Sequence, residues 1–174
     1  MFATLYLPKF YLQAAMRHQP ELRLKPVALL DDNEKRAVII QLNEPAEKTP
    51  VGTGMTPSQG LARCLSLIVK ARARRQEKLI DEILVHYGFT LSPYVEATAP
   101  GVCTIQFTDD RDLMPKVSRV IEQLAKCEII AQAGIALTPD ASFLVAHLAR
   151  SVLQIKNAKK FLAPLPIETL ATTI

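Results

Sequence analysis

Residues 38–66, VIIQLNEPAEKTPVGTGMTPSQGLARCLS, limit the possible folds more than any other stretch. They open with an apolar run of strand character, Ala37 to Ile40, and pass through a polar segment containing Asn43 and Pro45. A compact turn follows, Pro50-Val51-Gly52-Thr53-Gly54-Met55. A helix start comes next: Thr56 is placed to cap it, Pro57 suits its first position, and Gln59 stands three residues after the cap. The Thr56 hydroxyl can accept one of the amide protons that a first helical turn leaves unpaired, and Gln59 can reach back to the amide of Thr56. Gly52 and Gly54 allow a tight turn just before the helix, with φ above zero if needed. Such a turn suits a phosphate cradle or a plain connection; the Lys-Ser/Thr of a Walker motif is absent.

The rest of the chain alternates strands and helices. Residues 2–7 read as a buried strand and 9–17 as a helix after Pro8. Strands are expected over 27–30 and 37–42, the first closed by the turn cluster Asp31-Asp32-Asn33. Lys70, Arg72, Arg74, Arg75 and Lys78 make the densest basic run. It leads into a helix whose Leu79, Ile80, Ile83, Leu84 and Tyr87 recur at helical spacing. Two adjacent strands, 90–98 and 102–108, flank Pro100-Gly101. A helix over 112–127 carries the stripe Leu113, Val117, Val120, Ile121 and Leu124. A strand over 129–137 precedes a second cap-plus-proline signal, Thr138-Pro139, and a helix to about residue 150. A short strand over 152–155 and a helical turn over 157–162 complete the order. Without the inserted segment this is a ferredoxin-like α/β arrangement: an antiparallel sheet with helices on one face.

Composition narrows the function classes. At 174 residues and 49% hydrophobic the chain can bury a core. No apolar run reaches the roughly 18 residues of a membrane span. The first residues, MFATLYLPKF, lack the basic start and the cleavage site of a secretory signal, so a cytoplasmic location is expected. Cys64, Cys103 and Cys127 are odd in number and widely spaced, which points to reduced thiols and away from a disulfide framework or zinc site. A net charge of +4 is compatible with a nucleic-acid partner.

Four landmarks together resemble the palm and fingers of Y-family DNA polymerases. They are Phe10-Tyr11 after the first strand; Lys25-Pro26-Val27-Ala28-Leu29; the 38–66 stretch with Asn43, Ala46, Val51 and Gly54-Met55; and Gly134-Ile135-Ala136 before a capped helix. Leu162-Ala163-Pro164-Leu165-Pro166-Ile167 is similar to the run leading out of the palm. The resemblance implies a palm-like subdomain over 1–17 and 76–174 with a fingers-like insertion over 18–75.

The chemistry departs from that pattern. The family holds two Mg²⁺ ions on carboxylates. By the resemblance those carboxylates fall on Tyr6, Gly101 and Val102, none of which can ligate Mg²⁺ through a side-chain carboxylate. The nucleotide-site counterparts are Phe10, Tyr11, Gln41, Glu44, Glu47 and Phe143. Glu44 and Glu47 replace a Tyr and an Arg of the triphosphate grip, and Phe143 replaces a Lys. Each carboxylate near a triphosphate is expected to cost about 4 kcal/mol at 4 Å and an effective dielectric near 20. Tyr11 keeps the position that excludes a ribose 2′-hydroxyl, or is retained as a packed aromatic.

This pattern is similar to the ImuB-type branch, polymerase homologues without the catalytic carboxylates. That branch implies an inactive adapter in a damage-inducible mutagenic repair assembly, contacting DNA, a sliding clamp and a separate repair polymerase. No cofactor or metal and no membrane contact is expected. DNA contact, through Lys70, Arg72, Arg74, Arg75 and Lys78, is expected to be weak and non-specific. The sequence stops where a thumb would begin, as a piece of a longer protein or a short relative. Two alternatives stay open: an active nucleotidyltransferase using Glu96, Asp109 and Asp110, and a binding module unrelated to DNA whose basic run is a solvated face.

Overall fold

The computed structural model describes residues 1–31 and 37–167, so Asp32 and Asn33 of the expected turn lie outside the described residues. Asp31 is described; its amide donates to Val38 O at 3.0 Å. In chain order the elements are β1 (Phe2–Tyr6), α1 (Phe10–Met16), a 3-10 turn (Pro20–Leu24), β2 (Val27–Leu30) and β3 (Ile39–Leu42). Then come α2 (Glu44–Glu47), α3 (Pro57–Arg63), β4 (Ile68–Lys70), α4 (Arg74–Phe89), β5 (Tyr94–Ala99) and β6 (Val102–Gln106). The chain ends with α5 (Leu113–Lys126), β7 (Gln132–Ala136), α6 (Pro139–Leu148), β8 (Val152–Gln154) and α7 (Ala158–Leu162). These form two compact units: Met1–Pro8 with the chain from Ile80 onward, and Lys9–Leu79.

The first unit is built on a five-stranded sheet in the order β5-β6-β1-β7-β8. β1 is antiparallel to both neighbours, β6 and β7. β8 joins β7 in parallel, so the sheet is mixed at that edge. Ala3, Thr4 and Leu5 of β1 are all fully buried, which requires cover on both sheet faces. On one face Thr4 Oγ1 meets Ser142 Oγ of α6 at 2.7 Å, and Gly134, paired with Thr4, lies directly under the α6 backbone. On the other face Gly88 of α4 is pressed against Cys103 and Val95. Tyr87 of α4 reaches Cys127, just past α5, with its hydroxyl 3.8 Å from the sulfur. The expectation that the helices share one face is therefore corrected: α6 packs opposite α4. The small side chains of Thr4, Gly134 and Ala136 let a helix backbone descend onto that side. The α5 stripe Leu113, Val117, Val120, Ile121 and Leu124 is buried as its spacing predicts. Each such side chain contributes roughly 1.5–3 kcal/mol.

The second unit carries a three-stranded sheet, β3-β2-β4, with β3 antiparallel and β4 parallel to β2. α1 packs here: Leu12 sits with Leu22, Val27 and Leu29. Its sequence position had grouped it with residues 1–17 of the palm. Asn43 is the polar hub of the unit. Its Oδ1 accepts from Val27 N at 2.8 Å and Ala46 N at 3.1 Å, and its Nδ2 donates to Lys25 O at 2.7 Å. It thereby caps α2, a single helical turn inside the polar segment. The capping box at Thr56 and Gln59 forms as expected. β4 was not expected; its three residues are held by pairing with β2, and α4 begins at Arg74, within the basic run.

Candidate functional site

In the first unit Tyr6 pairs with Val102, and the amide of Leu7 donates to Gly101 O at 2.9 Å. The end of β1 and the β5–β6 hairpin thus bring Tyr6, Gly101 and Val102 together. Gly101 adopts a φ of 72°, which closes the hairpin, and Asp81 of α4 accepts its amide at 2.8 Å. Asp81 was missed by the sequence reading; an acid on a helix gives no signal that it clamps a distant hairpin.

An aromatic stack fills this corner. The Tyr6 ring lies on His147 of α6, with centroids 3.8 Å apart and planes at 26°. Phe143, one helical turn earlier, tilts against the same imidazole at 4.3 Å. His147 Nδ1 lies 2.9 Å from the Phe143 carbonyl, which fixes the ring. Burial pushes the Tyr6 phenol up and holds His147 below its ordinary 6.5, so both are neutral at pH 7. Tyr6, Gly101, Val102, Phe143 and His147 thus offer no anionic oxygen for a hard divalent cation. Among the described residues no group of three or more His, Cys, Asp or Glu side chains is placed to hold a metal ion. Glu96 is exposed on β5. Asp109 accepts from Arg111 Nε and Nη2 through both carboxylate oxygens at 2.8–3.0 Å, which holds its carboxyl down at about 2. Asp110 is exposed beyond β6.

The second unit holds the other expected positions. Phe10 is buried and meets Tyr11 edge-on at 5.2 Å. Gln41 Oε1 accepts the Leu12 amide at 2.9 Å, a bond that ties α1 to β3. Glu47 pairs with Lys9 at 2.6 Å and Glu44 with Lys48 at 2.7 Å. Lys48 also lowers the Glu44 carboxyl, first through their hydrogen bond. The repulsion expected of these two acids is therefore weaker than bare carboxylates would exert, because each is exposed and already neutralised.

The basic run divides. Arg72 turns inward: its guanidinium lies 3.9 Å above the Tyr11 ring and grips Glu77 with bonds of 3.0 and 2.6 Å. The Arg72 and Glu77 side chains are only 14% and 8% exposed, so Arg72 is withdrawn from the set facing solvent. Lys70 donates to Gln19 at 2.8 Å, while Arg74, Arg75 and Lys78 are exposed. In the glycine turn the amides of both glycines are used within the fold. Gly54 N donates to Ile39 O and Ile39 N to Met55 O, both at 2.8 Å, and Gly52 N faces the Met55 sulfur. These amides have no bond left for a phosphate.

Known proteins place this arrangement. The model of the impB/mucB/samB family matches residues 5–147. DNA polymerase IV of Ralstonia nicotianae is 24% identical over 172 residues, covering 92% of this chain and 48% of that protein. DNA polymerase IV of Protochlamydia amoebophila is 30% identical over 91% of this chain and 48% of its own length. The chain thus spans about half the length of the curated relatives it matches. Among solved structures, a post-insertion binary complex of Dbh DNA polymerase superposes with a TM-score of 0.84 at 15% identity, over 97% of this chain and 52% of that one. DinB from Sulfolobus solfataricus gives 0.81 at 15% identity, over 97% and 52%. These matches establish a Y-family polymerase palm-and-fingers fold.

Proposed function

The chain belongs to the impB/mucB/samB family, and on that premise we propose that it is a member that has given up nucleotidyl transfer and serves DNA repair as an ImuB-type adapter. The observation that carries this reading is the stack of Tyr6, His147 and Phe143. It stands where family members would keep a metal-binding carboxylate and a triphosphate-binding lysine, and it is uncharged at neutral pH. Residues 1–17 and 76–174 take the role of a palm and 18–75 that of fingers, except that α1 belongs with the latter, in whose core it packs. In this reading the protein acts in translesion synthesis after DNA damage, in the cytoplasm as part of an SOS-type response. A sliding clamp and a catalytic repair polymerase are its partners, engaged through parts outside this sequence.

DNA contact falls to the exposed cations Arg74, Arg75 and Lys78. Three phosphate contacts give a log–log salt slope of about −3, and binding no tighter than about 10⁻⁴ to 10⁻⁶ M. With no Trp and 6% aromatic residues, base stacking adds little. The expected result, by fluorescence anisotropy on labelled duplexes, is weak binding of equal strength on unrelated sequences. Changing Arg74, Arg75 and Lys78 together to Ala lowers it equally on all of them. Undiminished binding by the triple variant would remove these residues from the DNA role, and primer extension in Mg²⁺ would remove the adapter reading.

A further inference from the structure

The α6 face of the five-stranded sheet is only partly covered. α6 packs on β1, β7 and β8, and among the described residues β5 and the Gln106 end of β6 stay exposed on that side. The register lines up Tyr94, Gln106 and Phe2 in one row, and Glu96 beside Thr104 in the next. With Pro139 at the start of α6 they bound a hollow of about 300 Å³. Tyr94 is 57% exposed there, and Glu96 has no ion-pair partner among the described residues.

The lining of the hollow selects its occupant. Among the described residues Glu96 is its one charge, and no lysine or arginine lines it. A carboxylate beside an open aromatic ring suits a cation: the acid supplies the ion pair and the ring a cation–π contact. A phosphate would meet only repulsion. β5 is also an edge strand, with its outer backbone groups unpaired by any strand among the described residues. An extended segment adding to that edge would set alternate side chains on the face that carries Tyr94 and Glu96. We propose that the hollow receives a basic side chain, lysine or arginine, from an extended segment of a partner protein lying along β5. This rests on geometry and charge, and stands whether or not the chain has lost catalysis.

The test is a titration of the ¹⁵N-labelled full chain, followed by amide chemical shifts. The probe is an alternating Thr–Lys nonapeptide; a Thr–Glu nonapeptide and a thymidine oligonucleotide are the comparisons. The expected result is saturable shifts along β5 and β6 with the lysine peptide alone. Glu96→Gln, a substitution at an exposed position, weakens binding about fivefold, the scale of a surface ion pair. Tyr94→Ala weakens it by a similar factor, about fivefold. Absence of shifts, indifference to Glu96→Gln, or equal shifts from the acidic peptide or the oligonucleotide would each overturn the proposal.

Discussion

Gly134→Ala is expected to destabilise the protein by about 3 kcal/mol or more, because the new methyl group would collide with main chain. A Cβ built on Gly134 falls 2.2 Å from Ser142 O, 2.3 Å from Ala146 N and 2.8 Å from Val145 C. None of these atoms can rotate aside. α6 would have to lift from β7, and the buried Thr4–Ser142 hydrogen bond would stretch with it. The same movement would carry His147 away from Tyr6, so this glycine sets the spacing on which the aromatic stack depends. For a chain of this size the loss corresponds to a fall in Tm of about 6–12 °C. A thermal melt of the variant within 2 °C of the parent, on the order of 1 kcal/mol or less, would contradict the packing described.

The second large effect is expected at Glu77. Glu77→Ala removes the carboxylate that grips the Arg72 guanidinium above Tyr11, and breaking a shielded pair of this kind costs about 3–5 kcal/mol. Both side chains are well shielded from water, so solvent screening softens the loss little. Replacing both members at once, Arg72→Met with Glu77→Leu, is expected to cost far less, since two buried charges leave together. Denaturant unfolding of Arg72→Met, Glu77→Leu and the double variant closes the cycle. A cost below about 1 kcal/mol for Glu77→Ala, the range of an exposed pair, would mean that Arg72 is solvated and still available to DNA.

Local chemistry made some of this legible in the sequence. Thr56, Pro57 and Gln59 announce a capped helix start through spacings that only a first helical turn satisfies, and the capping box is formed. The apolar stripe of α5 and the glycine of the β5–β6 hairpin were equally direct. α2 was missed although Asn43 and Pro45 carry a related cap-plus-proline signal; its four residues gave no periodicity to notice. β4 has three residues and exists because β2 offers it an edge, which no local propensity encodes. The opposite placement of α6 could not be read from alternation, because β1 is buried on both faces and its pattern is uninformative. The pairing of Arg72 with Glu77 crosses the start of α4, outside the three- and four-residue spacings that mark helical ion pairs. His147 was invisible as a partner for Tyr6, since the two meet only after the sheet has formed.

The corner formed by Tyr6, Gly101 and Val102 offers no side-chain carboxylate to a catalytic metal. Calorimetric titration of the full chain with Mg²⁺ and dATP together tests it most directly. With an uncharged stack at the end of β1, and with no side-chain carboxylate at Tyr6, Gly101 or Val102, no saturable heat is expected up to millimolar nucleotide. A one-to-one isotherm with a micromolar Kd that disappears when Mg²⁺ is omitted would contradict it.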